Sequence, residues 1–152
     1  MFVFIGIDGL SSALMQQEIA HLPHLHSLLN ASAYTYHAMS EVPTKSGINW
    51  GTHFFGHTAA YHCWYHNDEE SACSGAHSIF DTVNNSSGYA SWARLQQHIP
   101  AFRATADDVE TAHKIARHVQ RRDRQLVAAV LNGLDNKGAQ IAQALREADD
   151  LV

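Results

Sequence analysis

Phe2 to Ile7 is an almost unbroken apolar run, the pattern of a strand covered on both faces, and it stops at Asp8-Gly9. Leu126 to Leu131 (LVAAVL) repeats that pattern and is followed a few positions later by Asp135. Between the two runs the apolar period changes to that of helices. Ser11 or Ser12 caps a helix reaching to about Ala20, and Pro23 opens a second one carrying Leu25, Leu28 and Leu29. Ser46 to Phe55 reads as a helix start. Another is expected around Ile79 to Asn84, closed by Gly88. Asp107 or Asp108 caps a long amphipathic helix with Val109, Ala112, Ile115, Ala116 and Val119 on one face. Residues 137 to 151 read as a last Ala/Leu-rich helix. Ala33 to Met39 and Tyr89 to Leu95 have strand character, and a polar loop containing Asn67, Asp68, Glu69 and Glu70 separates the helices. Strands alternating with helices predict an α/β fold with a mostly parallel sheet flanked by helices. The length of 152 residues makes this a single domain spanning 1–152.

In such sheets ligands gather beyond the carboxyl ends of the strands, where Asp8 and Asp135 both fall. Taken alone, Asp8 is either a turn residue or a metal ligand, since hard cations and zinc both accept strand-end carboxylates. Asp135, in Leu-Asp-Asn-Lys-Gly, is either a turn former or a second metal carboxylate opposite Asp8. Ser46 is either an ordinary helix cap or a nucleophile placed where helix amides hold a phosphate. Asn49, one turn further on, could donate to a non-bridging phosphate oxygen.

A net charge of −5 with no basic stripe argues against a nucleic-acid-binding surface. The first apolar run is far shorter than the ~20 residues of a membrane span. It also lacks the basic flank and small-residue cleavage site of an export signal, so a cytoplasmic protein without a membrane span is expected. Cys63 and Cys73 are then expected to be free thiols. Of 12 histidines, eight fall between His21 and His66, and His53 and His57 are spaced to share a helix face as zinc ligands often do. A histidine-rich metal-binding protein is therefore a rival reading. No Gly-x-Gly-x-x-Gly follows the first strand, which counts against a dinucleotide binder.

In their order along the chain, IGIDGL, LPHLHSLL, PTKSGINW, the stretch from Gly56 to His62, SIFDTVNNSSGYASW and LNGLDNKGAQIAQALREADDLV resemble the alkaline-phosphatase superfamily. The likeness is greatest to its type I phosphodiesterase/nucleotide pyrophosphatase branch. The resemblance implies that Ser46 is the nucleophile, that Asn49 binds phosphate, and that Asp8, Ser46 and Asp135 belong to metal sites. It also implies a divalent cofactor, zinc, at two sites in complete relatives, and a small phosphate-ester or nucleotide-like substrate. Ala139 stands where the resemblance would place a metal-binding His, and the family's later Asp-His-Gly motif is not among these residues. The chain is therefore expected to be a C-terminally truncated form of that core, weak or inactive as a hydrolase by itself, with a homo-oligomer or a complementing chain as its partner. The alternative is a non-catalytic remnant or anion- and metal-binding module of the same fold.

Overall fold

The computed structural model describes residues 1–68, 73, 75–134 and 141–152, with the Ile141 side chain excepted. Among the described residues four strands form one all-parallel sheet: β1 (Phe2–Ile7), β2 (Ser86–Ala90), β3 (Phe102–Ala104) and β4 (Leu126–Leu131), in the order β1-β4-β2-β3. The expected α/β class is what the chain adopts. β4 lies between β1 and β2, and all six of its residues are buried, which explains its unbroken apolar sequence. The helices are α1 (Ser12–Glu18), α2 (Pro23–Asn30), α3 (Ser46–Phe55), α4 (Ala59–His62), α5 (Ile79–Thr82), α6 (Arg94–His98), α7 (Asp108–Arg121) and α8 (Ile141–Asp149).

The faces of β4 sort the core. Leu126, Ala128 and Val130 pack against Trp50 and Phe54 of α3, Phe80 of α5 and Phe102 of β3. Val127 and Ala129 pack with Tyr89 and Ile115 of α7. Trp50 rests directly on β1 because position 6 is glycine: a Cβ there would lie 2.3 Å from the Trp50 ring. The nucleophile-candidate helix is thus seated on the first strand by an aromatic side chain four residues after Ser46.

Several expectations are corrected. Gly88 closes no helix. α5 ends at Thr82, and Gly88 lies inside β2, where the Phe102 ring presses so close that a Cβ would sit 2.8 Å from it. The strand expected over Tyr89 to Leu95 runs instead from Ser86 to Ala90, and Arg94 to His98 is helical. Ala33 to Met39 is irregular rather than extended in a sheet, with Tyr34 and Tyr36 packed edge to face at 5.4 Å. Cys63 and Cys73 are paired in a disulfide, with a Cα–Cα distance of 5.1 Å suited to it. The bridge replaces the expected free thiols. Among the described residues no helix is long and apolar enough to cross a membrane.

Candidate functional site

The carboxyl ends of the strands supply one wall of a cavity of about 740 Å³, with Asp8 after β1, Ser91 after β2, and Asn132 and Gly133 after β4. Its other walls include Ser46, Asn67 and the first residues of α7. A second cavity, of about 610 Å³, is lined by Asp8, Lys45, Ser46, Asn49 and His53. Asp8 and Ser46 border both. The structure therefore brings these two residues to one place. Asp135 lies outside the described residues.

Three contacts among the described residues hold Asp8. Its amide donates to the Leu131 carbonyl (2.8 Å), continuing the β1–β4 ladder by one bond. Oδ1 accepts from the Gly9 amide (3.1 Å), and Oδ2 accepts from the Asn132 side-chain amide (3.1 Å). Gly9 turns the chain with a φ of 81°, which a side-chain-bearing residue would resist. Asn132 is itself positioned by Asp108, whose carboxylate accepts from Ser91 Oγ (2.6 Å), Asn132 N (3.0 Å) and Gly133 N (2.7 Å). Of the two capping candidates, Asp107 caps α7 through the Glu110 amide, while Asp108 ties the sheet ends together.

Ser46 is the first residue of α3. The capping position falls on Lys45, whose extended backbone makes no side-chain cap. The Ser46 hydroxyl is thus not consumed as a cap, contrary to the ordinary structural role its position suggested. The next amide, Gly47 N, donates to Asn67 Oδ1 (2.9 Å). The sequence places Asn67 only in a polar loop. Its contact with Gly47 follows from the folding of a separate segment onto the helix start, for which the sequence offers no local signal. Lys45 Nζ lies 2.6 Å from His66 Nδ1, on the same loop.

Asn49 lines the second cavity together with Asp8 and Ser46. Its Oδ1 accepts from Glu41 N (2.8 Å) and its Nδ2 donates to the Lys45 carbonyl (3.0 Å), so its amide braces the segment leading into Ser46. Beneath this brace lies a polar chain. Trp64 N donates to His62 Nδ1 (3.2 Å), which puts the ring proton on Nε2, 3.4 Å from Thr52 Oγ1. Thr52 Oγ1 in turn donates to Glu41 Oε2, whose other oxygen accepts from Ala59 N (3.1 Å).

Burial holds the fully enclosed His62 below its ordinary pKa of 6.5, with neighbouring His98 adding to the effect and Glu41 opposing it. The Thr52 hydroxyl bond lowers Glu41 below 4.5. For both groups the folded pKa is the lower one, so the folded state binds fewer protons and loses stability as pH falls. The loss from His62 begins below about 6.5, and that from Glu41 follows below about 4.5. The thermal midpoint is expected to fall between pH 7.5 and 5.5, and His62→Gln, which can donate and accept without titrating, is expected to flatten that interval. An unchanged slope in the variant would remove His62 as the cause.

The histidine pair does not form. α3 ends at Phe55, Gly56 takes a φ of 68°, and His57 stacks on Tyr61 at 4.3 Å while His53 Nδ1 contacts the Asn49 carbonyl. Among the described residues, the His/Asp group close enough to share an ion is His24, Asp149 and Asp150. There Asp149 accepts the His24 and Leu25 amides at the start of α2. Among the described residues, the Asp8, Asp68, Asp107, Asp108 and Glu147 carboxylates and the Ser46 hydroxyl line the main cavity, oxygen donors of the type that zinc and magnesium accept.

The family model described as type I phosphodiesterase / nucleotide pyrophosphatase matches residues 2–152. No curated protein matches the chain.

Proposed function

The chain belongs to the type I phosphodiesterase / nucleotide pyrophosphatase family, and from that premise we propose that it is a phosphoester or phosphodiester hydrolase domain with Ser46 as nucleophile. The observation behind this reading is the shared cavity of Asp8 and Ser46, with Ser46 at the first position of α3. Helix N-termini attract anions through free N–H groups and the positive end of the dipole. A phosphate seated there would meet the Ser46 hydroxyl. Asn67 spends its oxygen on Gly47, which leaves its NH₂ group to donate to a non-bridging oxygen. Asn49 serves the same seat by holding the Lys45 turn.

In the proposed reaction Ser46 Oγ forms a bond to phosphorus while the ester oxygen departs and takes up a proton. Water then cleaves the Ser46 phosphoester and restores the hydroxyl. A divalent cation, zinc in this reading, would be held by Asp8, Ser46 and Asp135 and would supply the Lewis acidity that a serine hydroxyl needs at neutral pH. Ala139 offers no ligand to a second ion. This observation favours weak turnover by these residues, and it keeps the anion-binding module as the second reading.

The test is residues 1–152 with added zinc against a nitrophenyl phosphodiester, alongside amide shifts during phosphate titration. Slow turnover that falls to background in Ser46→Ala, with Gly47 to Asn49 shifted by phosphate, is the expected result. Shifts without turnover favour the binding module. Turnover that survives Ser46→Ala, or phosphate shifts confined to distant surfaces, would refute the proposal.

A further inference from the structure

A third cavity, of about 310 Å³, opens against the second one. It is formed by Leu10, Met15 and Leu29 below and by Tyr34 and Tyr36 at its rim, and it shares Leu10, Ser11 and Ala38 with the cavity holding Asp8 and Ser46. We propose that this groove receives the organic group esterified to the phosphate at Ser46, and that the group is aromatic and uncharged. The inference rests on the proposed hydrolase reading and adds to it the substrate class.

Three observations converge. The first is continuity: an ester group leaving the phosphate seat past Leu10 and Ala38 enters the groove directly. The second is charge. Among the described residues no Asp, Glu, Lys, Arg or His lines the groove, whereas Asp8 and Lys45 line the second cavity and Asp68, Asp107 and Asp108 line the first. A second phosphate placed in the groove would find no counter-charge there, while a neutral ring would lose little by leaving water. The third is the character of the walls. Tyr36 packs on the Met15 and Leu22 core, so its ring is held, and the tilted Tyr34 ring, 68° to it, stays 59% exposed. Two such rings present an edge and a face to a third, the arrangement aromatic groups prefer. The volume is near the lower bound of ligand pockets, ~300 Å³, which suits one ring system.

The probes are methylphosphonate and phenylphosphonate, titrated into the full chain and followed by amide shifts. Both are expected to shift Gly47 to Asn49. Phenylphosphonate is expected to shift Leu10, Leu29 and Tyr36 as well, and to bind about tenfold more tightly. Tyr36→Ala should bring phenylphosphonate to the methylphosphonate affinity and leave methylphosphonate unchanged. Because Tyr36 contributes to packing, Tyr34→Ala, at an exposed position, provides a variant that folds and should lose part of the same advantage. Equal affinities with the groove unshifted overturn the groove while leaving the hydrolase reading standing. If neither phosphonate shifts Gly47 to Asn49, the hydrolase reading fails and the groove assignment fails with it.

Discussion

Asp108→Ala is expected to lower the unfolding free energy by about 3 kcal/mol, through the loss of three hydrogen bonds to one charged acceptor. Asp108 holds the Ser91 hydroxyl and the Asn132 and Gly133 amides, at the ends of β2 and β4, against the first turn of α7. A hydrogen bond to a charged group contributes ~1.5–3 kcal/mol. The cavity admits water to these groups, which offsets part of the loss and sets the total at about 3 rather than at the sum. In a domain of this size that corresponds to a fall of roughly 6–12 °C in Tm. Asp108→Asn keeps one acceptor and is expected to lose less. The same substitution should reach the site, because the Asn132 backbone is what Asp108 fixes and the Asn132 side chain is what holds Asp8 Oδ2. The measurements are urea unfolding and the Asn132 side-chain amide resonance. A loss under about 1 kcal/mol, small for three such bonds, would mean that strand pairing alone holds the sheet edge.

Gly47→Ala is expected to destabilise by about 2 kcal/mol and to weaken phosphate binding at the start of α3. A Cβ at position 47 would stand 2.6 Å from Trp64 Nε1 and 2.8 Å from Cε2. Trp64 has no room to retreat. It is fully buried, stacked on His98 at 3.9 Å and on Trp92 at 5.5 Å. Alanine in a helix ordinarily gains about 1 kcal/mol over glycine, so the sign of the result discriminates between the two effects. Helix propensity alone predicts a more stable variant, while the clash with Trp64 predicts a less stable one. Relief of the clash would swing the helix start away from Asn67, whose oxygen the Gly47 amide now meets at 2.9 Å. A raised Tm with phosphate shifts intact at Asn49 would show that the indole yields and that the seat does not depend on it.

β1, β4, α3 and α7 were legible in the sequence because each has an apolar period strong enough to fix its own conformation. β3 was not: Phe102, Arg103 and Ala104 form a strand because they pair with Gly88 to Ala90, and only one of the three is buried. Gly88 read as a helix stop because glycine has several uses, and the one it serves depends on Phe102, fourteen positions later. Ala33 to Met39 has the composition of a strand, but no strand among the described residues pairs with it. The Cys63–Cys73 bridge escaped the composition argument, which considers compartments and not distances.

The candidate site divides in the same way. That an aspartate ends the first strand and a serine starts a helix is local, set by apolar runs, a glycine turn and a helix start, and the sequence alone determined it. Only the tertiary structure decided that Asp8 and Ser46 border one cavity, since that follows from Trp50 seated on Gly6 and from β1 paired with β4. It also decided that Asn67, rather than Asn49, meets the Gly47 amide. Both asparagines offer the same donors and acceptors, and nothing in the residue type distinguishes them. Asn49 lies one turn inside the helix, within reach of the chain that precedes it, and its amide is used there. Asn67 arrives from a loop brought back past Trp64, and a position of that kind depends on packing across the chain rather than on neighbours along it.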